Sequence, residues 1–256
     1  MVIFDVDGVL EYRGRAYPKA GELINFLRAQ NISIRIITNS TLKCRKDCAD
    51  RLIALGINIH HNEVVTASYA SAVFLKSKNV KSCYLMLKGK GVNEFVDFDL
   101  NSNTPEYVVV GDFRDDFNFK NLNKALRFLK NGAKLLTMIP ELIDHTQGDL
   151  EVNVGSFGTL LQHASKQEMI TVGKPNEFIF KIVLDNSTFQ YDQVLMIGDK
   201  IDTDIIGANR IGIKSALIKQ GEFSIDDLDK GITPTYQFDS LTELYLWIKS
   251  NSIKNF

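Results

Sequence analysis

The chain has 256 residues, 45% hydrophobic and 24% charged, with 17 Gly and 5 Pro; these proportions belong to a soluble globular protein and exclude disordered, collagen-like and disulfide-rich classes. Thirty Lys and Arg against 31 Asp and Glu give a formal net charge of -1. Without a long basic block, neither a nucleic acid nor a membrane is expected as a partner.

Short β-rich apolar runs alternate with helical patterns, the signature of an α/β architecture with parallel strands. Val2 to Phe4 predicts a first strand. From Pro18, the residues Ala20, Leu23, Ile24 and Leu27 recur at helical spacing. Ser33 to Ile37 predicts a second strand, Thr41 to Leu55 a helix stopped by Gly56, and Glu63 to Thr66 a third strand. Near Ser68 a second module begins, with strands at Ser82 to Leu87, Tyr107 to Val110 and Lys134 to Met138; Leu122, Ala125, Leu126 and Leu129 mark a helix ended by Gly132. From about Thr171 the first style returns with a helix over Asn176 to Leu184, a strand Gln193 to Ile197, a helix from Asp204 and a strand Ser215 to Ile218. The simplest organisation is a doubly wound, Rossmann-like parallel-sheet core over 1–67 and 171–256, interrupted by an inserted α/β module over 68–170.

Cys44, Cys48 and Cys83 are an odd, sparse set that points to a reducing compartment, and no nearby His or Cys completes a zinc site around the first two. No apolar run reaches the roughly 18 residues of a membrane span. The opening Met1-Val2-Ile3-Phe4-Asp5 has neither basic n-region nor cleavage site, so a cytoplasmic protein is expected.

Asp5-Val6-Asp7-Gly8 follows the first strand directly, so both carboxylates leave the carboxyl end of a parallel strand, where open α/β sheets bind ligands. Asp and Gly are also ordinary residues for leaving a strand. A second acidic strand end, Gly198-Asp199-Lys200-Ile201-Asp202-Thr203-Asp204, leads into a helix, where Asp202 or Asp204 is alternatively an N-cap. Two such strand ends in one sheet repel each other unless a cation lies between them, and hard oxygen donors suit Mg²⁺. Thr38-Asn39-Ser40 precedes a helix and can face an anion with hydroxyls and backbone N–H groups, or simply cap the helix. In Gly173-Lys174-Pro175, Pro175 near N1 would leave Lys174 at the positive end of a helix dipole, a position explained by an anionic ligand or by the Asp cluster.

In this order and at strand ends throughout, Asp5-Val6-Asp7-Gly8-Val9, Thr38-Asn39-Ser40, Lys174-Pro175 and Gly198-Asp199 through Thr203-Asp204 resemble the four motifs of the haloacid dehalogenase superfamily of phosphatases. About 30 residues separate Asp7 from Thr38 and about 135 separate Thr38 from Lys174, so the cap domain of this family is expected in the second gap. With Tyr12-Arg13-Gly14 and Pro18-Lys19-Ala20-Gly21, the chain is similar to the p-nitrophenyl, phosphoglycolate and pyridoxal phosphatases. It departs from them in the cap, carrying Met138-Ile139-Pro140-Glu141 and Val152-Asn153-Val154-Gly155 where such proteins often have Thr-Asn-Pro-Asp and Pro-Gly-x-Gly.

The resemblance implies Mg²⁺-dependent hydrolysis of a small phosphorylated metabolite, with Asp5 as nucleophile and Asp7 as acid and base. Asp5, the Asp7 carbonyl, Asp199 and Asp204 would hold the metal, and Thr38, Asn39 and Lys174 the phosphate. The alternatives are a phosphotransferase or mutase on the same core, and a receiver-type signalling protein, against which the Asp-x-Asp-Gly strand and the large insertion argue. Substrate choice is expected in the cap, first in the loop Pro140 to Ser156 through Glu141, Asp144, His145 and Asn153. Gly89-Lys90-Gly91 lacks the third glycine of a dinucleotide fingerprint, since position 94 is Glu94. Phe113, Phe117 and Phe119 read as ordinary packing, with a homodimer through the cap as the alternative.

Overall fold

The computed structural model describes residues 1–144, 149–185 and 187–251. The chain divides into two compact units, one built from Met1–Thr38, Cys48–Val65 and Lys174–Phe256, the other from Asn39–Asp47 and Thr66–Gly173.

The first unit is organised by β1 (Val2–Phe4), whose three residues are all buried. A strand covered on both faces reads as an unbroken apolar run, which is why so short a segment is legible as one. It pairs in parallel with β4 (Ile34–Thr38) on one side and β12 (Leu195–Gly198) on the other. Adding β5 (Val64–Thr66), β13 (Lys214–Ile218) and β14 (Tyr236–Phe238) gives the sheet order β14-β13-β12-β1-β4-β5. The connections leave β1 in opposite directions, and such a switch point opens a crevice at the carboxyl ends of its strands.

Helix α1 (Ala20–Ala29) buries Ala20, Leu23, Ile24 and Leu27, the predicted stripe. These residues pack with Phe4, Ile36, Ile197 and Ala216 of the sheet, and with Leu244 and Ile248 of α8 (Leu241–Ser250), in one core. A two-strand hairpin, β2 (Glu11–Tyr12) and β3 (Arg15–Ala16), follows β1 and turns through Arg13 and Gly14, both at positive φ as a twisted two-residue hairpin requires. Glu11 is wholly buried. One of its carboxylate oxygens pairs with Arg51 of α2 (Arg45–Ala54), and the other accepts the Gly14 N–H at 3.0 Å.

The second unit holds a four-stranded parallel sheet in the order β11 (Met169–Thr171), β8 (Lys134–Thr137), β7 (Tyr107–Val110) and β6 (Cys83–Met86). β6, β7 and β8 fall within the three strands expected from sequence, while β11 is an addition to them. Helices α3 (Ala67–Ser77), α4 (Phe119–Lys130) and α5 (Val154–Ser165) join it, with a small antiparallel pair, β9 (Ile143–Asp144) and β10 (Glu151–Val152). Helix α4 begins where Asn118 accepts the Asn121 N–H at 3.0 Å. Phe117 stacks on Phe157 with centroids 3.6 Å apart, and Phe113 meets Phe117 edge-on. Two of the three predicted aromatics are thus packed within the unit, while Phe119 is 83% exposed.

Asn39–Asp47 groups with this second unit because its peptides are bonded there. Gly91 donates to the Leu42 carbonyl at 2.9 Å, Ser68 to the Lys43 carbonyl at 3.0 Å and Asp112 N–H to the Thr41 hydroxyl at 3.2 Å. Those commitments hold back the expected helix from Thr41, and α2 starts instead at Arg45. The Gly89-Lys90-Gly91 segment is therefore a packing element against Leu42. Among the described residues no helix is long and apolar enough to cross a membrane.

Removing one partner of a buried ion pair strands the other charge. Arg51→Ala is expected to destabilise the fold by about 3 kcal/mol, toward the low end for such pairs because the arginine is partly exposed. Urea unfolding checks this, and an unchanged midpoint would show that the Glu11 contact is dispensable.

Candidate active site

Three strand ends meet at the switch point. Asp5 follows β1 and continues its ladder by donating its N–H to the Ile197 carbonyl at 2.9 Å. Asp199 follows β12, and Thr38 ends β4 in a buried position. Asp204 comes from a π turn, Ile201–Ile205, that leads into α7 (Ile206–Ile211). One carboxylate oxygen from each of Asp5, Asp199 and Asp204 lies within 4.8 Å of the other two.

Lys174, 1% exposed, reaches into this cluster. Its Nζ lies 2.6 Å from Asp5 Oδ1 and 2.7 Å from Asp204 Oδ1. The expected setting at a helix start is corrected here: Asn176 caps α6 (Glu177–Leu184), accepting the Phe178 N–H at 2.9 Å, so Pro175 lies outside the helix. Lys174 is held by the two carboxylates. Asp204 is likewise not an N-cap but accepts the Lys200 N–H at 3.2 Å from within the turn.

Asp7 is half-buried, and the turn after it closes through the Gly8 N–H and the Glu11 carbonyl at 2.8 Å. Gly8 sits at φ +88°, and a Cβ there would lie 1.9 Å from Asp199 Oδ2, so only glycine lets the two strand ends approach. The loop after β13 closes the other side. A Cβ at Gly221 would lie 2.3 Å from the Gly8 Cα, the Glu222 N–H donates to Asp199 Oδ2 at 2.7 Å, and Gln220 Nε2 donates to the Gly8 carbonyl at 3.2 Å. Sequence reading assigned nothing to Gln220, Gly221 or Glu222. Only the glycine after an apolar strand was a signal, since the contacts of the other two depend on a backbone N–H and a neutral amide.

The electrostatics follow from burial. Loss of water pushes the Asp5 carboxyl up to about 8, with Asp204 and Asp7 adding repulsion and Lys174 opposing it. Burial, then Asp5 and Asp204, raise Asp199 well above the carboxylate range. Burial also disfavours the Lys174 charge, but Asp204 and Asp5 outweigh it and hold the ammonium far above the usual lysine range. Three carboxyl groups share one lysine, two of them held against ionisation by burial and mutual repulsion, and the buried Asp199 Oδ1 has no hydrogen-bond partner among the described residues. An orphaned carboxylate oxygen beside two others fits a small divalent cation, and all-oxygen donors suit Mg²⁺.

Of the remaining expected residues, Asn39 belongs to the second unit, where its side-chain amide donates to Glu141 Oε1 at 2.7 Å. Asn153 caps α5, accepting the Val154 N–H at 2.8 Å. Asp144 lies in β9, and His145 lies outside the described residues. Glu141 and Asn153 therefore both have structural work within this unit.

Residues 2–101 match the haloacid dehalogenase-like hydrolase family model, and residues 171–244 match a HAD-hydrolase-like model. The mouse haloacid dehalogenase-like hydrolase domain-containing protein 2 is 30% identical over 92% of this chain and 90% of its own length. The chain belongs to the haloacid dehalogenase-like hydrolase family. Ribonucleotide monophosphatase NagD of Escherichia coli K12 is 26% identical, covering 95% of this chain and 97% of its own. The p-nitrophenyl phosphatase structure from Archaeoglobus fulgidus superposes with a TM-score of 0.89 at 25% identity, over 96% of this chain and 98% of that one. This family member is a hydrolase on the phosphatase side, with which both its sequence and its fold align.

Because folded Asp5 and Asp199 keep protons that unfolded carboxylates release near 3.8, the folded state binds more protons than the unfolded state between that pH and about 8. Stability of chelator-treated protein is therefore expected to fall as pH rises across this window. Asp199→Asn should flatten the slope, and Mg²⁺ should raise Tm more at pH 8 than at pH 5. Thermal unfolding reads all three, and a chelated protein that gains stability from pH 5 to 8 would contradict the assignment.

Proposed function

We propose that the chain hydrolyses small phosphate monoesters with Mg²⁺ through an aspartyl phosphate on Asp5. The observation that carries this reading is the buried contact of Lys174 with both Asp5 and Asp204. A carboxylate must be ionised to attack phosphorus, and in this pocket it needs positive charge beside it.

An Asp5 oxygen attacks phosphorus as the bond to the ester oxygen breaks, and Asp7 donates its proton to that leaving oxygen. Asp7, now a carboxylate, takes a proton from the water that attacks the phosphoenzyme; the acyl-phosphate bond breaks, and Asp5 and inorganic phosphate are restored. Lys174, the Thr38 hydroxyl and the Asn39 backbone N–H, joined to Thr38 by one peptide bond, hold the phosphoryl oxygens as charge shifts toward the leaving group. Asp5, the Asp7 carbonyl, Asp199 and Asp204 are the residues to hold Mg²⁺, which when bound supplies neutralising charge between an anionic nucleophile and an anionic substrate.

The second unit serves as the cap that selects the substrate, since the core groups address only phosphate and metal. The relatives' substrates, a ribonucleotide monophosphate and a p-nitrophenyl ester by their names, support a small phosphorylated metabolite as the substrate class. The reaction fits a cytoplasmic protein.

Asp5→Asn keeps the shape but removes the attacking charge, so hydrolysis of p-nitrophenyl phosphate should fall by at least about 10³-fold, the scale of losing a catalytic nucleophile. Retained turnover in that variant would sink the covalent route. Asp7→Asn should lose an unactivated alkyl phosphate far more than the aryl ester, whose leaving group needs little protonation. Equal losses on the two esters would remove Asp7 from the acid role.

A further inference from the structure

Resting on the Mg²⁺ reading above, we infer that Lys200 and Glu222 form a positioning pair that fixes the geometry of the metal-holding carboxylates. Neither residue belongs to the reacting set. Lys200 Nζ lies 2.7 Å from Glu222 Oε2, joining the end of β12 to the loop after β13. Each residue also offers its backbone N–H to a carboxylate. Lys200 donates to Asp204 Oδ2 at 3.2 Å, and Glu222 donates to Asp199 Oδ2 at 2.7 Å. The result is a closed circuit in which one side-chain contact ties together the two donors that orient two carboxylates.

The orientation matters because it decides which oxygens remain for a cation. With Asp199 Oδ2 engaged by Glu222, its other oxygen, Oδ1, is the one left buried and without a hydrogen bond among the described residues. Asp204 is divided in the same way, Oδ2 on the Lys200 N–H and Oδ1 on Lys174. Groups behind a metal's immediate ligands commonly change affinity by about 10- to 100-fold when removed. Gln220 anchors the same loop through the Gly8 and Val9 carbonyls, at 3.2 and 3.3 Å, while the Leu241 N–H donates to its side-chain oxygen at 3.2 Å. That anchor fixes the loop beside the Asp7-Gly8 turn. The salt bridge adds the tie between Glu222 and the end of β12.

A positioning role and a purely electrostatic one predict opposite results. The pair is neutral as it stands. Lys200→Met removes a positive charge near the cluster, so a charge effect alone would tighten Mg²⁺ binding, whereas loss of the tie would weaken it. Side chains 31% and 13% exposed should tolerate exchange without unfolding, which thermal unfolding verifies.

The experiment is calorimetric titration of the full-length protein with MgCl₂ in the absence of substrate. Lys200→Met and Glu222→Gln should each weaken Mg²⁺ about tenfold, while Lys200→Arg and the exchange of both charges, Lys200→Glu with Glu222→Lys, should return the Kd to within about threefold of wild type. Unchanged or tighter binding by Lys200→Met, or an exchanged protein no better than the single variants, overturns the pair while leaving the metal site standing. A wild type that binds no Mg²⁺ overturns both the pair and the metal reading on which it rests.

Discussion

The ammonium of Lys174, buried between Asp5 and Asp204, is the contact on which the site depends. Three carboxylates brought together without water repel one another, and sheet pairing alone has no means of offsetting that. Lysine costs desolvation too, but its two short contacts outweigh that cost and keep the ammonium charged. The arrangement also requires backbone to come unusually close. Gly8 and Gly221 supply that approach where any side chain would fill the space between the strand ends.

The acidic strand ends were legible in the sequence because their chemistry lies in side chains at a recognisable topological position. Asp5, Thr38 and Asp199 could be picked out since apolar runs announce the strands that present them, and Lys174 by the Gly173-Lys174-Pro175 segment ahead of a helix. The Gln220–Glu222 loop was not legible, as its grip on Asp199 comes from a main-chain donor that every residue but proline possesses. Helix starts were harder for a related reason. At Pro175 the local signal suggested the first helical residue, but Asn176 had the competing capability of capping the next turn. At Thr41 the hydroxyl and neighbouring carbonyl were drawn into contacts with residues far along the chain.

The strands missed in the second unit show the limit of periodicity. β9 and β10 have two residues each, too few for an alternation to be read. β11 is only partly buried along its length, so Met169-Ile170-Thr171 does not stand out as a core run. By contrast β7, with four consecutive buried residues, was evident at once.

The second unit is assembled from two separated stretches, Asn39–Asp47 and Thr66–Gly173. A graft of the long stretch alone onto another member's core would leave Gly91, Ser68 and Asp112 facing a foreign counterpart of Thr41, Leu42 and Lys43. Recombination between relatives, in the laboratory or in evolution, therefore has to move a short cassette from beside the Thr38 strand together with the long one. The second unit is discontinuous in the gene although it is continuous in space.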